Sequence, residues 1–141
     1  MTNVDRVRGV RIVELGRVDA PNGSLTVAEV AQQVPFDIAR FFTVFGVPAG
    51  ELRGTHAHRA CHQFLVAVHG RFVARVDDGD RTADVVLDRP ELGLYMPPMT
   101  WGGQFDYSPD AVLLVLASHR YDRADYIEDY EEFLRLARSL G

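Results

Sequence analysis

The stretch "GELRGTHAHRACHQFLVAVHG" spans residues 50–70 and holds four of the five histidines in a chain of 141 residues. Its second half, "HQFLVAVHG" (62–70), is an apolar, β-branched run that stops at Gly70, which reads as a strand. In its first half His56 and His58 stand two residues apart. Side chains two apart on a strand share a face. Both imidazoles therefore project together, into an interior or away from it. Two imidazoles on one face serve as metal ligands or as an acid–base pair. A solvent-facing strand with two polar residues is the plain alternative.

Outward from this stretch the chain is mostly short strands between turn signals. "VRIVEL" (10–15) reads as a strand, "DAPNGSL" (19–25) as a turn, and "SLTVAEV" (24–30) and "ARFFTVFGV" (39–47) as further strands. "RFVARVDDG" (71–79) and "RTADVVLD" (81–88) form a hairpin around Asp78-Gly79. "GLYMPPMTWGG" (93–103) is a strand running into a proline-stiffened loop, and "AVLLVLAS" (111–118) suits a sheet interior. From Asp125 the period changes: Tyr126, Ile127, Tyr130, Phe133, Leu134 and Ala137 fall on one face of a helix. Asp122 or Asp125 is placed to cap it, with Gly141 at its end. Many evenly spaced strands and one terminal helix predict an all-β sandwich or barrel, formed as one domain over residues 1–141.

Composition narrows the function. Apolar residues make up 47% and charged residues 25%, with a formal net charge of -5 and no basic stripe, which argues against a nucleic-acid surface. Cys61 is the only cysteine, so neither a disulfide framework nor a cysteine-built zinc site is expected. No segment has signal-peptide or membrane-span character, and a cytoplasmic protein is the expectation.

Gly50, His56, His58, Gln63 and Gly70 stand at spacings that resemble the first motif of the cupin superfamily. There, two histidines, a glutamate at the Gln63 position and a later histidine hold a metal. Gln63 is a neutral amide and a poor partner for a divalent cation. "LYMPPMTWGGQ" (94–104), where the later histidine would fall, carries Gly102 and Gly103 instead. No metal and no other cofactor is expected. A metal-free pair of interior histidines suits proton transfer, because an imidazole with a pKa near ~6.5 takes and returns a proton at neutral pH. Arg53 is the candidate anion partner.

The strings "RGTHAHRACHQFLVAVHG", "VDDG", "LYMPPMTW", "DAVLLVLAS" and "YDRADYIEDYEEFLRL" occur in this order. Together they resemble the WxcM-like cupin family of sugar 3,4-ketoisomerases. The resemblance implies a cupin jelly roll with a C-terminal helix and no catalytic metal, assembled as a homodimer with exchanged N-terminal strands. It implies a reaction on dTDP-4-keto-6-deoxyglucose, moving the ketone from C4 to C3 through an enediol. Arg53, His56 and His58 fall on the active-site motif. One histidine would carry the proton from C3 to C4, with His58 slightly preferred, and the other would position or polarise. Gln63 matches the family's own amide, Tyr95 and Trp101 fall where they would line the mouth or pack on the nucleotide base, and Arg40 is the pyrophosphate partner. The chain departs from the family pattern at Asn22, at Phe42 and Thr43, and at Gly102, where an arginine, a tyrosine and a histidine are found. Two other readings stay open: a nucleotide-sugar-binding cupin without activity, and a small metal-dependent cupin enzyme.

Overall fold

Strand Thr82–Leu87 shows why these segments become sheet: Ala83, Val85 and Leu87 are buried while Thr82, Asp84 and Val86 face solvent. In the computed structural model, which describes residues 4–140, twelve such strands are found. They are β1 (Arg11–Glu14), β2 (Gly16–Ala20), β3 (Gly23–Val27), β4 (Arg40–Phe45), β5 (Ala57–His58) and β6 (Gln63–His69). After these come β7 (Phe72–Asp77), β8 (Thr82–Leu87), β9 (Leu92–Met96), β10 (Trp101–Phe105), β11 (Val112–Ala117) and β12 (Tyr126–Ile127). One helix, α1 (Tyr130–Arg138), follows.

A five-stranded antiparallel sheet in the order β1-β9-β6-β11-β4 packs against a three-stranded sheet in the order β10-β7-β8. The core between them is built from Leu65, Leu94, Leu113 and Val115 of the large sheet and Phe72, Val76, Val85 and Leu87 of the small one. Each such side chain contributes about 1.5–3 kcal/mol when fully buried. The outer face of the large sheet is covered too. Phe64, Val66 and Tyr95 pack there against Val34 and Phe36. Burial on both faces explains why β6 opens as a continuous apolar run rather than an alternating one, while β11 buries one face and half-buries the other. The all-β jelly-roll architecture with a C-terminal helix is the expected one.

Two segments differ from the sequence reading. Residues 19–25 are not all turn: only Pro21 and Asn22 separate β2 from β3, which pair from Ala20↔Gly23 to Gly16↔Val27. This hairpin pairs with no other strand among the described residues and is exposed almost throughout. At the other end, the helix starts at Tyr130 rather than Asp125. Tyr126 and Ile127 are extended and pair with His58 and Ala57. Backbone pairing to β5 overrides the helical spacing there. Asp129 caps α1 by accepting from the Glu131 N–H, and Asp122 caps the preceding 3-10 turn by accepting from the Ala124 N–H. Gly141 lies outside the described residues. Phe133 and Ala137 bury α1 against Ala57 and Ile127, with Trp101 packed alongside. Among the described residues no helix is long and apolar enough to cross a membrane.

Candidate active site

The segment from Arg53 to His58 is stitched to β10 on one side and β12 on the other. Arg53 exchanges both backbone hydrogen bonds with Gln104, at 2.9 and 2.8 Å. The Gly102 N–H donates to the His56 carbonyl and the Met99 N–H to the His58 carbonyl, at 3.0 and 2.7 Å. Gly54 makes this possible. Its φ of +70° is in the left-handed region, and a Cβ there would collide with the Gln104 carboxamide.

Held in this way, the segment closes one side of a cavity of about 220 Å³ between the two sheets. Phe42, Val44, Leu65, Met96, Leu113 and Val115 form its apolar walls. Its polar side chains are Arg53, His56, Gln63, Gln104 and Tyr126. Arg53 is exposed while lining the cavity, which sets it at the mouth.

The two histidines are not equivalent. His56 lines the cavity, and burial, reinforced by the neighbouring His58, pushes its pKa down to about 4. It is a neutral imidazole at physiological pH. His58 is 4% exposed and stands behind the wall, its ring centroid 5.0 Å from that of His56 and 4.4 Å from that of Tyr126. Burial lowers its pKa as well, opposed by a hydrogen bond from Nδ1 to Asp125 Oδ2 at 2.8 Å. Burial alone would raise the Asp125 carboxyl, but donors from the Ala60 backbone and His58 outweigh it and hold it below the usual range. An ionised carboxylate only accepts, so Nδ1 of His58 carries the hydrogen and Nε2 the lone pair. That Nε2 is buried without a partner, as is the Nε of Arg40. Orphaned buried polar atoms of this kind mark places where chemistry outranks packing.

The structure brings Arg53, His56 and Gln63 onto one cavity and sets His58 and Arg40 immediately behind it. Arg40 does not reach the cavity wall: its Nη2 donates to the Tyr126 hydroxyl at 3.3 Å, and its guanidinium lies over Phe42 and Tyr121. Tyr95 and Trp101 stand elsewhere. Each precedes a cavity residue, Met96 and Gly102, and the pleat turns neighbouring side chains to opposite faces. The Tyr95 hydroxyl bonds His62 Nδ1 at 2.7 Å on the outer face, and Trp101 packs on Tyr130 and Phe133 beneath α1.

Asp125 and Tyr126 are the site residues that helical periodicity hides. The pattern Asp129-x-x-Glu132 is the signal that locates the true helix start and frees Tyr126 for another role. His58, Cys61 and Asp125 also bring potential metal-ligand atoms within 4.8 Å of one another. In the structure they are hydrogen-bonded: Asp125 serves His58 and Ala60, and the Cys61 thiol donates to the His62 carbonyl.

Residues 8–138 match the family described as FdtA: WxcM-like, C-terminal. A TDP-4-oxo-6-deoxy-α-D-glucose-3,4-oxoisomerase of Aneurinibacillus thermoaerophilus is 37% identical over 123 residues, covering 87% of this chain and 88% of that one. A 3,4-ketoisomerase of Thermoanaerobacterium thermosaccharolyticum was solved as a histidine-to-asparagine variant in complex with TDP-4-keto-6-deoxyglucose. It superposes with a TM-score of 0.91 at 32% identity, covering 94% of this chain and 96% of that one. The TDP-quinovose 3,4-ketoisomerase of Campylobacter jejuni gives a TM-score of 0.88 at 36% identity, covering 92% and 99%. With a family match over most of its length and relatives above 30% identity, the chain belongs to the FdtA (WxcM-like, C-terminal) family.

Proposed function

We propose that this chain is a nucleotide-sugar 3,4-ketoisomerase that converts TDP-4-keto-6-deoxyglucose to a TDP-3-keto-6-deoxyhexose. The observation that carries the reading is His56. It is a neutral imidazole on the wall of a largely apolar cavity, and no protein hydrogen bond occupies its ring among the described residues. Such a group is free to take the proton from C3, which a neighbouring ketone makes acidic, and to return it to C4. The net change moves a carbonyl by one carbon and needs neither redox partner nor cofactor. His58, locked on Asp125, orients and polarises His56 from behind. Arg53 at the mouth meets the diphosphate, while Gln63 and Gln104 hold the sugar hydroxyls and Arg40 braces the wall.

One domain over residues 1–141 carries the whole reaction, and a cytoplasmic setting agrees with the free, buried Cys61. The working unit is a homodimer with exchanged N-terminal strands. In support, the β2–β3 hairpin leaves Val18 and Leu25 each 55% exposed, and Phe41 and Phe45 on the edge strand β4 are each 69% exposed. A light-scattering mass of a single chain would overturn the dimer.

The direct test is an NMR time course of the purified protein with TDP-4-keto-6-deoxyglucose in deuterated buffer. The expected result is a 3-keto sugar whose C4 position has gained a hydrogen, carried over from C3 or, where the imidazolium exchanges with solvent, a deuterium. TDP binding without turnover would instead establish a nucleotide-sugar-binding protein.

A further inference from the structure

A base at C3 is half of the chemistry. As the C3 proton leaves, charge develops on the C4 oxygen, and in an apolar cavity that charge requires a donor. Of the cavity's polar side chains, Gln63, Gln104 and Arg53 can donate hydrogen bonds to that oxygen, but neither a carboxamide nor a guanidinium transfers a proton at neutral pH. His56 is already the base. One group remains.

We infer that Tyr126 is the second proton-transfer residue of the site, acting on the substrate oxygens while His56 acts on the carbons; this rests on the ketoisomerase reading above. Three observations carry it. Tyr126 lines the cavity, and its ring centroid lies 4.7 Å from that of His56. Its hydroxyl accepts from Arg40, which can only donate, so the phenol's own hydrogen is left for another acceptor. The same guanidinium, held between Phe42 and Tyr121, is a fixed positive charge beside the oxygen that would become a phenolate. The short strand β12 sets this geometry by pairing Tyr126 with His58.

The steps balance. His56 takes the C3 proton, the C–H electrons form the C3=C4 bond, and the C4 carbonyl oxygen takes the phenolic proton of Tyr126. An enediol, an imidazolium and a phenolate result. The phenolate then takes the proton from the C3 hydroxyl, and the C3 carbonyl forms. The electrons of the double bond take the imidazolium proton at C4, and both residues return to their starting state.

Tyr126→Phe keeps the ring that packs on both histidines and removes only the hydroxyl. With TDP-4-keto-6-deoxyglucose, kcat is expected to fall by at least about 100-fold, with KM and TDP affinity within about twofold of the parent. Loss of C3 hydrogen exchange with solvent should parallel the loss of turnover. Incorporating a fluorinated tyrosine at position 126, whose phenol is more acidic, should move the alkaline limb of kcat to lower pH without unfolding the chain. A parent protein that isomerises the sugar alongside an equally active Tyr126→Phe, with an unmoved alkaline limb, overturns the role of Tyr126 and leaves the ketoisomerase reading standing. A parent protein that binds TDP and does not isomerise the sugar overturns both.

Discussion

One histidine–tyrosine pair, His56 with Tyr126, faces the cavity, with His58 packed behind the same tyrosine, and another, His62 with Tyr95, lies on the outer face of the large sheet. In the outer pair, His62 and Tyr95 stack at 5.9 Å and satisfy each other through a hydrogen bond of 2.7 Å, with Phe36 laid over both. In the inner pair, His56 and Tyr126 approach to 4.7 Å without bonding each other. There the phenol oxygen is held by Arg40, and the imidazole has no hydrogen-bond partner among the described residues. The residue types are the same, and the difference is in their partners. A pair that closes on itself has no hydrogen-bonding capacity left for a substrate. A pair held apart by third groups keeps that capacity, at a cost in stability that the surrounding core offsets.

The largest contrast between the two regions should come from asparagine substitutions. His56→Asn is expected to lower kcat by on the order of 10³-fold while the chain stays folded, because it deletes a proton carrier and preserves approximate volume. His62→Asn should change kcat less than about twofold and lower the melting temperature instead, since it leaves the Tyr95 hydroxyl unpaired. Steady-state kinetics beside a melting curve for each variant decides the matter. Equal losses of activity in both would mean that the outer pair serves the reaction as well.

Acid should sharpen the same contrast. In the folded protein His56 titrates near 4, against the ordinary imidazole value of 6.5. The unfolded chain therefore binds a proton on this side chain at a pH where the folded chain does not. The stability it contributes is present above pH 6.5 and is lost as pH falls through about 4, up to about 3 kcal/mol in all. His58 and His62 are shifted in the same direction, chiefly by burial, and add to the acid sensitivity. Denaturant melts at pH 7 and pH 4.5 should show this loss, and His56→Asn should reduce it. Activity follows a different limb: kcat/KM should hold from pH 7 to about 5 and fall near 4. A fall centred on 6.5 would mean that His56 is solvated in the free enzyme.

How much of this was legible in the residues depends on which period governs each segment. The strands carrying the core were readable, because burial on both faces of β6 and partial cover of the second face of β11 write themselves as apolar runs. Arg53 and His56 were readable from spacing, Gln63 only through the family resemblance, and the cavity gathers all three. Tyr95 and Trp101 were not, because a single-residue step on a pleated strand reverses the face, and loops give no register from which to count. The β2–β3 hairpin was half hidden because Asn22-Gly23 signals a turn without saying how far pairing extends beyond it. Asp125 and Tyr126 were hidden most deeply. Tyr126, Ile127, Tyr130 and Phe133 fit a helical stripe, but Ile127 reaches the core from a strand and Phe133 from α1. The pairing that decides this involves His58, 68 residues upstream of Tyr126 in the chain. Local periodicity carries no information about it.

The smallest effect tests the outer pair by itself. Tyr95→Phe removes one hydroxyl, leaves the ring between Phe36 and the guanidinium of Arg11, and frees His62 Nδ1 to bond water. Because His62 is only half-buried, rehydration recovers part of the lost hydrogen bond, so the cost should stay near 1 kcal/mol. A shift of about 3 °C in melting temperature would correspond to that cost in a domain of this size. KM for the nucleotide sugar should not move. If Tyr95 reaches the nucleotide across a dimer interface, KM should rise while stability holds. That reversal would make the outer face part of a second subunit's site, and the two pairs would then differ in which subunit's substrate they meet rather than in whether they meet one.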